Sequence, residues 1–329
     1  MLCTPRATAM CAVSVAFAAS ATALPAIAQS FPAGKPVRII VPFGPGSTID
    51  IMGRLLSPKL IESLGTLVIV ENRPGAGGAI GMDATARAAP DGHTLAIGAL
   101  GPLAMNPVLY PKTPFDPVKD FAAVSLLATG PVAIVVHPSV PAKTIRELVA
   151  LAKARPGQLS YGSPGVGSSP HLTGELFRLE TGTNLVHVPY KGNAEALTDL
   201  IGGQISAVFS GVPPVVPLVN AGKVRALATT GKTRNASLPD APTIAEAGVK
   251  GAEVLIWYGV VAPAATPKDV IARLNRDIVN AMATPDLRER FRQQGVDPET
   301  STPEQFAQLI RDEFARWTKV IRTARIQVE

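Results

Sequence analysis

Strand-like and helix-like runs alternate along this chain almost from end to end, and no other feature restricts its fold as much. Apolar runs with strand character lie at 37–41, 67–70, 94–97, 132–136, 159–161, 185–188, 207–209 and 225–229. Segments with helical spacing separate them. Over 144–154, Ile145, Leu148, Val149 and Ala152 share one face, and Pro156-Gly157 stops the helix. Strands that return through helices are the connection a parallel sheet requires. The pattern therefore predicts an α/β fold with mostly parallel sheets covered by helices.

Two helices near the C-terminus are well marked. Thr266-Pro267-Lys268-Asp269 offers Thr266 as N-cap, a proline at the first helical position and an acid in the first turn. Ile271, Leu274, Ile278 and Met282 then fall on one stripe. Thr302-Pro303-Glu304-Gln305 repeats the device with a capping-box glutamine. Phe306, Ile310, Phe314, Trp317 and Ile321 follow at three- and four-residue spacing and read as core, not as a cofactor box.

Residues 1–28 are of a different kind. Arg6 is their only charge, a small and apolar run covers 9–24, and Ala26-Ile27-Ala28 is a small-x-small site for a leader peptidase. This reads as a secretory signal peptide cleaved near Ala28, which implies a periplasmic protein. The run is too short and alanine-rich for a membrane span, and Met10 before Cys11 is too large for a lipobox. Cys3 and Cys11, the two cysteines of the chain, both lie in this leader. The mature chain is thus expected to hold no disulfide, no thiolate metal site and no cysteine nucleophile.

The remaining length and a 47% hydrophobic, 17% charged composition suit two domains with real cores. The net charge of +6 is spread among acids, as in Asp286-Leu287-Arg288-Glu289-Arg290. No basic run carries interleaved aromatics, which excludes a nucleic-acid partner. A mild positive field would help gather anions.

Two loops carry the candidate chemistry. Pro42-Phe43-Gly44-Pro45-Gly46-Ser47-Thr48-Ile49-Asp50 follows a strand and opens a helix. Its glycines let the backbone approach a ligand, and Ser47 and Thr48 stand where free helix N–H groups point outward. Asp50 either caps its own turn or orients a ligand amine or water. Tyr161-Gly162-Ser163-Pro164-Gly165-Val166-Gly167-Ser168-Ser169-Pro170-His171 repeats the arrangement about 120 residues later, with His171 as a capping residue or a ligand contact. The echo suggests two lobes, each presenting one loop to an anion.

Other motifs fail on inspection. Gly44-Pro45-Gly46 lacks the third glycine of a dinucleotide fingerprint, since Ile49 occupies that place, and Gly165-Val166-Gly167 fails likewise at Pro170. Ala226–Thr233 matches a relaxed phosphate-loop string, yet Pro239 and Pro242 follow where a helix is needed. Ser163 and Ser169 lack the glycine pair of a hydrolase elbow. Four scattered histidines are no metal signature. No cofactor and no metal is expected.

Several blocks together resemble the solute receptors of tripartite tricarboxylate transporters, the Bug family. They are Lys35-Pro36-Val37-Arg38-Ile39-Ile40-Val41-Pro42-Phe43, Val70-Glu71-Asn72-Arg73-Pro74-Gly75-Ala76-Gly77-Gly78, Pro90-Asp91-Gly92-His93-Thr94-Leu95 and Asn106-Pro107-Val108-Leu109-Tyr110. The others are Asp116-Pro117-Val118-Lys119-Asp120-Phe121, Val186-His187-Val188-Pro189-Tyr190-Lys191-Gly192 and Trp257-Tyr258-Gly259-Val260-Val261-Ala262-Pro263. They run in family order over essentially the whole chain after the leader.

The resemblance implies a two-lobed, type II periplasmic-binding-protein fold, a Venus flytrap with two crossover strands, near 126–135 and 255–262. Its expected domains are lobe 1 over 29–131 and 255–329, and lobe 2 over 132–254. It implies a monomeric, non-enzymatic receptor for a small carboxylate (dicarboxylate, tricarboxylate or aromatic acid) that serves a membrane permease. The ligand would meet Phe43, Gly46, Ser47, Thr48 and Asp50 in the first loop and Ser163, Gly165, Gly167, Ser168 and His171 in the second. Tyr190 and Lys191 lie close behind in the family pattern, with Lys191 as partner for a second negative charge. Where the family often has a second glycine, this chain has Ser47. Where the family often has an aspartate after the 207–209 strand, this chain has Ser210, which disfavours a ligand amine. A sensor subunit of a signalling system and an exported α/β enzyme are the rival readings; gene neighbourhood or pull-down separates the first, turnover the second.

Overall fold

The computed structural model describes residues 1–2, 31–110 and 112–323; the expected leader, with Cys3 and Cys11, falls almost wholly outside them. The elements belong to the unit that begins at Phe31. Its strands are β1 (Val37–Val41), β2 (Val68–Asn72), β3 (Thr94–Ala99), β4 (Phe121–Val136), β5 (Ser160–Ser163), β6 (Val186–Pro189), β7 (Ala207–Gly211), β8 (Arg225–Thr229), β9 (Leu255–Pro263) and β10 (Asp297–Pro298). Its helices are α1 (Thr48–Leu64), α2 (Ala79–Ala86), α3 (Asn106–Leu109), α4 (Ile145–Ala154), α5 (Ser169–Thr181), α6 (Asn193–Ile201), α7 (Val216–Asn220), α8 (Lys268–Ala283), α9 (Pro285–Gln293) and α10 (Pro303–Thr323). A π-helical turn, Gly101–Met105, runs directly into α3.

The sheet order is β2-β1-β3-β9-β4-β7-β5-β6, with β8 and β10 also paired to β4. The outer strands are parallel, as the alternation predicts: β1 lies between β2 and β3, and β5 between β6 and β7. Through the centre the pairing is antiparallel, because β9 returns against both β3 and β4. The sheets are thus mixed where the sequence pattern predicts mostly parallel ones.

The two parallel sets have the same order, first strand in the middle, second and third on its flanks. A ligand-sized gap opens beyond the carboxyl end of such a central strand, because its flanking connections leave on opposite sides. The glycine loops follow β1 and β5, so each occupies the switch point of its own set.

Strand β4 is 16 residues long and serves both sets. It pairs with β9 through Pro131 and with β7 and β8 from Val132 or Ala133 onward. Thr230 binds this crossing together. Its N–H donates to the Val132 carbonyl at 2.9 Å, and its hydroxyl accepts from the Val132 N–H at 2.9 Å and donates to the Val254 carbonyl at 2.6 Å.

The marked C-terminal helices form where expected. In α10 the reciprocal capping box is complete: Gln305 N–H donates to Thr302 Oγ1 at 3.2 Å, and Thr302 N–H to Gln305 Oε1 at 3.0 Å. Phe306, Ile310, Trp317 and Ile321 are buried and Phe314 packs against them; each fully buried side chain of this size contributes about 1.5–3 kcal/mol. In α8 the stripe Ile271, Leu274, Ile278 and Met282 is buried, but Thr266 is not its cap. Its hydroxyl donates to the Pro263 carbonyl at 2.7 Å, and the helix starts at Lys268 with Pro267 in the cap position. Among the described residues no helix is long and apolar enough to cross a membrane.

Candidate functional site

The first loop is fixed by its own side chains. Gly46 sits at φ 75°, a left-handed conformation that a side chain would strain. This turn lets Ser47 cap α1, its Oγ accepting from the Asp50 N–H at 3.3 Å. Asp50 closes the turn from the other side: its Oδ2 accepts from the Gly46 N–H at 2.9 Å, while Arg54 and Asn72 donate to the same carboxylate at 3.0 and 2.9 Å. Burial opposes ionisation of Asp50. The hydrogen bonds from Arg54, the Gly46 amide and Asn72 outweigh it, and its pKa drops below the usual carboxylate value.

The second loop repeats this wiring with a different acceptor. Gly167 is at φ 81°. Ser168 Oγ caps α5 by accepting from the His171 N–H at 3.3 Å, and the Gly167 N–H donates to His171 Nδ1 at 3.1 Å. His171 thus does for Gly167 what Asp50 does for Gly46. Behind it, His187 lies at 4.1 Å between ring centroids, and Ser163 Oγ is 2.7 Å from His187 Nε2. Tyr161 donates to Glu175 at 2.7 Å beneath the pair. Burial, then the Arg178 charge, lowers His171 to about 4; burial, then His171, lowers His187 to about 3. Both rings are therefore neutral near pH 7, as an accepting Nδ1 requires.

A helix start leaves its first N–H groups without intrahelical partners. In α1, the Asp50 N–H goes to Ser47 Oγ and the Ile51 N–H to the Ser47 carbonyl. The Thr48 and Ile49 amides have no partner among the described residues. In α5, Pro170 has no N–H and His171 is capped, which leaves the Ser169 amide. Both starts open on one crevice lined by Phe43, Ser47, Thr48, Ile49, Ser169 and Pro170, with walls completed by Ala99, Pro102, Pro164, Asn193, Gly211, Ile256 and Tyr258. Counted out to its mouth the gap holds about 350 Å³.

The walls meet closely because glycines stand where they touch. Gly101 N–H donates to Ser169 Oγ at 2.8 Å, and a Cβ on Gly101 would lie 2.7 Å from the Ser169 nitrogen. A Cβ on Gly77 would lie 2.1 Å from the Val166 carbonyl oxygen. Gly44 N–H donates to the Lys191 carbonyl at 3.4 Å.

Of the residues expected from sequence, Phe43, Ser47 and Thr48 line this crevice, and Gly46, Ser163, Gly165, Gly167 and Ser168 shape the two turns beside it. Asp50 and His171 are turned inward as caps. Ser210 is buried, accepts from Asn193 Nδ2 and donates to the Gly211 carbonyl at 2.8 Å. Tyr190 spends its hydroxyl on Asp199 at 2.7 Å, and burial with that acid pushes its pKa to about 12. Lys191 is exposed and contributes its carbonyl rather than its ammonium. Sequence reasoning missed Ser169, Asn193, Ile256 and Tyr258. Tyr258 was within reach as the polar member of the apolar β9 run; Asn193 carried no signal beyond opening α6. The 2.7 Å Ser163–His187 pair was also invisible, since 24 residues separate its members. No group of three or more His, Cys, Asp or Glu that could hold a metal occurs among the described residues.

Comparison with known proteins agrees with this architecture. The model of the tripartite tricarboxylate transporter family receptor matches residues 52–326. The solved periplasmic binding protein BugD is 33% identical and superposes with a TM-score of 0.86, covering 89% of this chain and 99% of that one. A Rhodopseudomonas palustris protein solved with adipate is 36% identical, with a TM-score of 0.86 over 89% and 98% of the two chains. A second protein from that organism, MatC with bound malate, is 32% identical, with a TM-score of 0.84 over 87% and 98%.

Proposed function

This chain belongs to the tripartite tricarboxylate transporter receptor family, and from that premise we propose that it captures a small organic carboxylate in the periplasm and presents it to a membrane permease. The observation that carries the reading is the pair of helix starts. Thr48, Ile49 and Ser169 hold amides that need an acceptor, and they open on one crevice from opposite walls. A carboxylate there gains charge-assisted hydrogen bonds and about 0.3–1 kcal/mol from each helix dipole. The adipate and malate held by the two Rhodopseudomonas palustris proteins favour a dicarboxylate over a tricarboxylate or an aromatic acid.

In this reading lobe 1 comprises 29–131 and 255–329, and lobe 2 comprises 132–254. The lobes part to admit the acid and close on it, and closure is favoured only by the ligand's differential affinity for the closed form. The protein is a receptor, so the acid leaves unchanged. The leader is removed near Ala28 on export.

Calorimetry with the exported protein tests this. Saturable one-to-one binding of a dicarboxylate, recovered intact, is expected. Silence across dicarboxylates, tricarboxylates and aromatic acids refutes the reading, and consumption of the acid converts it to an enzyme.

A further inference from the structure

We infer that the crevice reads a neutral hydroxyl on its ligand, and so takes hydroxy acids in preference to both unsubstituted diacids and amino acids. This rests on the carboxylate-capture reading above and narrows it. The first ground is charge. Among the described residues that line the crevice, none is ionisable except the tyrosine, which burial holds in its neutral form. Asp50, the nearest acid in sequence, has its carboxylate filled by Gly46, Arg54 and Asn72. A ligand ammonium would therefore lose its water with no anion to replace it.

The second ground is a set of neutral polar groups around Gly211. Thr48 Oγ1 is buried and makes no well-shaped hydrogen bond. It faces the Tyr258 hydroxyl. A Cβ on Gly211 would sit 2.3 Å from Thr48 Oγ1 and 3.3 Å from Tyr258 Oη, so both hydroxyls converge on the space that glycine leaves. Asn193 stands beside them with its amide nitrogen committed to Ser210, which leaves its oxygen as an acceptor. A ligand hydroxyl both donates and accepts, and supplies what Thr48 lacks. A methylene in its place leaves the buried threonine only the poorly aligned Tyr258 hydroxyl, and a polar group left badly paired is what lets a site discriminate strongly.

The test is a calorimetric comparison of L-malate, succinate and L-aspartate, which differ at one carbon. Malate is expected to bind at least tenfold tighter than succinate, and aspartate at least tenfold weaker than malate. Thr48→Val and Tyr258→Phe should each shrink the malate-to-succinate ratio toward one while the unliganded melting temperature confirms folding. Asn193→Asp, which supplies an anion at the same place, should shift preference toward aspartate. Equal affinities for the three acids, or ratios untouched in every variant, overturn the inference. Binding of adipate, an unsubstituted diacid, without any of the three also overturns it but leaves carboxylate capture standing; silence toward every acid fells both.

Discussion

Replacing Gly101 by alanine should weaken ligand binding about 5- to 150-fold without unfolding the protein. Gly101 lies in the π-helical turn after β3, and its N–H reaches across to Ser169 Oγ at the start of α5. An added Cβ would meet the Ser169 nitrogen at 2.7 Å, the Gly167 carbonyl at 3.1 Å and Ser169 Oγ at 3.1 Å. Carbon makes comfortable contact at about 3.5–4.0 Å, so the facing loop must retreat by most of an ångström. That loop has little freedom, since Ser168 and His171 pin it on both sides. Overpacking of this kind costs about 1–3 kcal/mol, and one such increment corresponds to about 5- to 150-fold in affinity. The atoms met belong to the opposite wall, so under the proposed lobe closure the cost falls on the closed form. Calorimetry gives the affinity, and small-angle scattering reports whether ligand still compacts the molecule. Ser169→Ala serves as the milder companion, since it removes one hydrogen bond worth about 1 kcal/mol and adds no bulk. If Gly101→Ala binds within twofold of the wild type and compacts equally, the contact plays no part in closure.

Acid should loosen the second loop before the first. His171 and His187 are neutral when folded, with pKa values of about 4 and 3, while an unfolded histidine titrates near 6.5. The unfolded chain thus binds more protons as pH falls below about 6.5, and stability is lost progressively down to about pH 3, where His187 also charges in the folded state. His171 alone accounts for on the order of 3 kcal/mol. Denaturant titrations at pH 7 and pH 4 should show a smaller loss in His171→Asn, which keeps an acceptor for the Gly167 N–H but cannot be protonated; an equal loss in both refutes the assignment. Asp50→Ala should cost about 1–3 kcal/mol in thermal or chemical unfolding, because it strands the Gly46 N–H and removes an acceptor shared with Asn72 and Arg54. Thr302→Ala should cost about 1 kcal/mol by removing half of the α10 capping box, measured the same way.

Much of the fold was legible because its signals are local. The 225–229 strand and the capped start of α10 stand where the apolar runs and Thr302-Pro303-Glu304-Gln305 put them. The two glycine loops were legible for the same reason: each is a single strand-to-helix turn. Pairing direction was not local. The stretch of β4 from Phe121 to Pro131 carries Ser125, Thr129, Gly130 and Pro131, and its strand character comes from β9 lying beside it. Thr266 misled because two threonine-proline steps look alike in sequence, and only the nearby Pro263 carbonyl decides where that hydroxyl turns. The crevice was half legible. Its near wall follows from the loops, while Asn193, Gly211, Ile256 and Tyr258 arrive from three distant segments. Asp50 and His171 were open between cap and ligand contact, and the same sequence spacing from Gly46 and Gly167 turns both into caps.

The uninterrupted β4 has a mechanical corollary. The two sets of strands share one backbone ribbon, so the lobe opening proposed above would have to bend or twist β4 itself. The ladders on either side of Gly130 and Pro131, to β9 before and to β7 and β8 after, would resist that deformation.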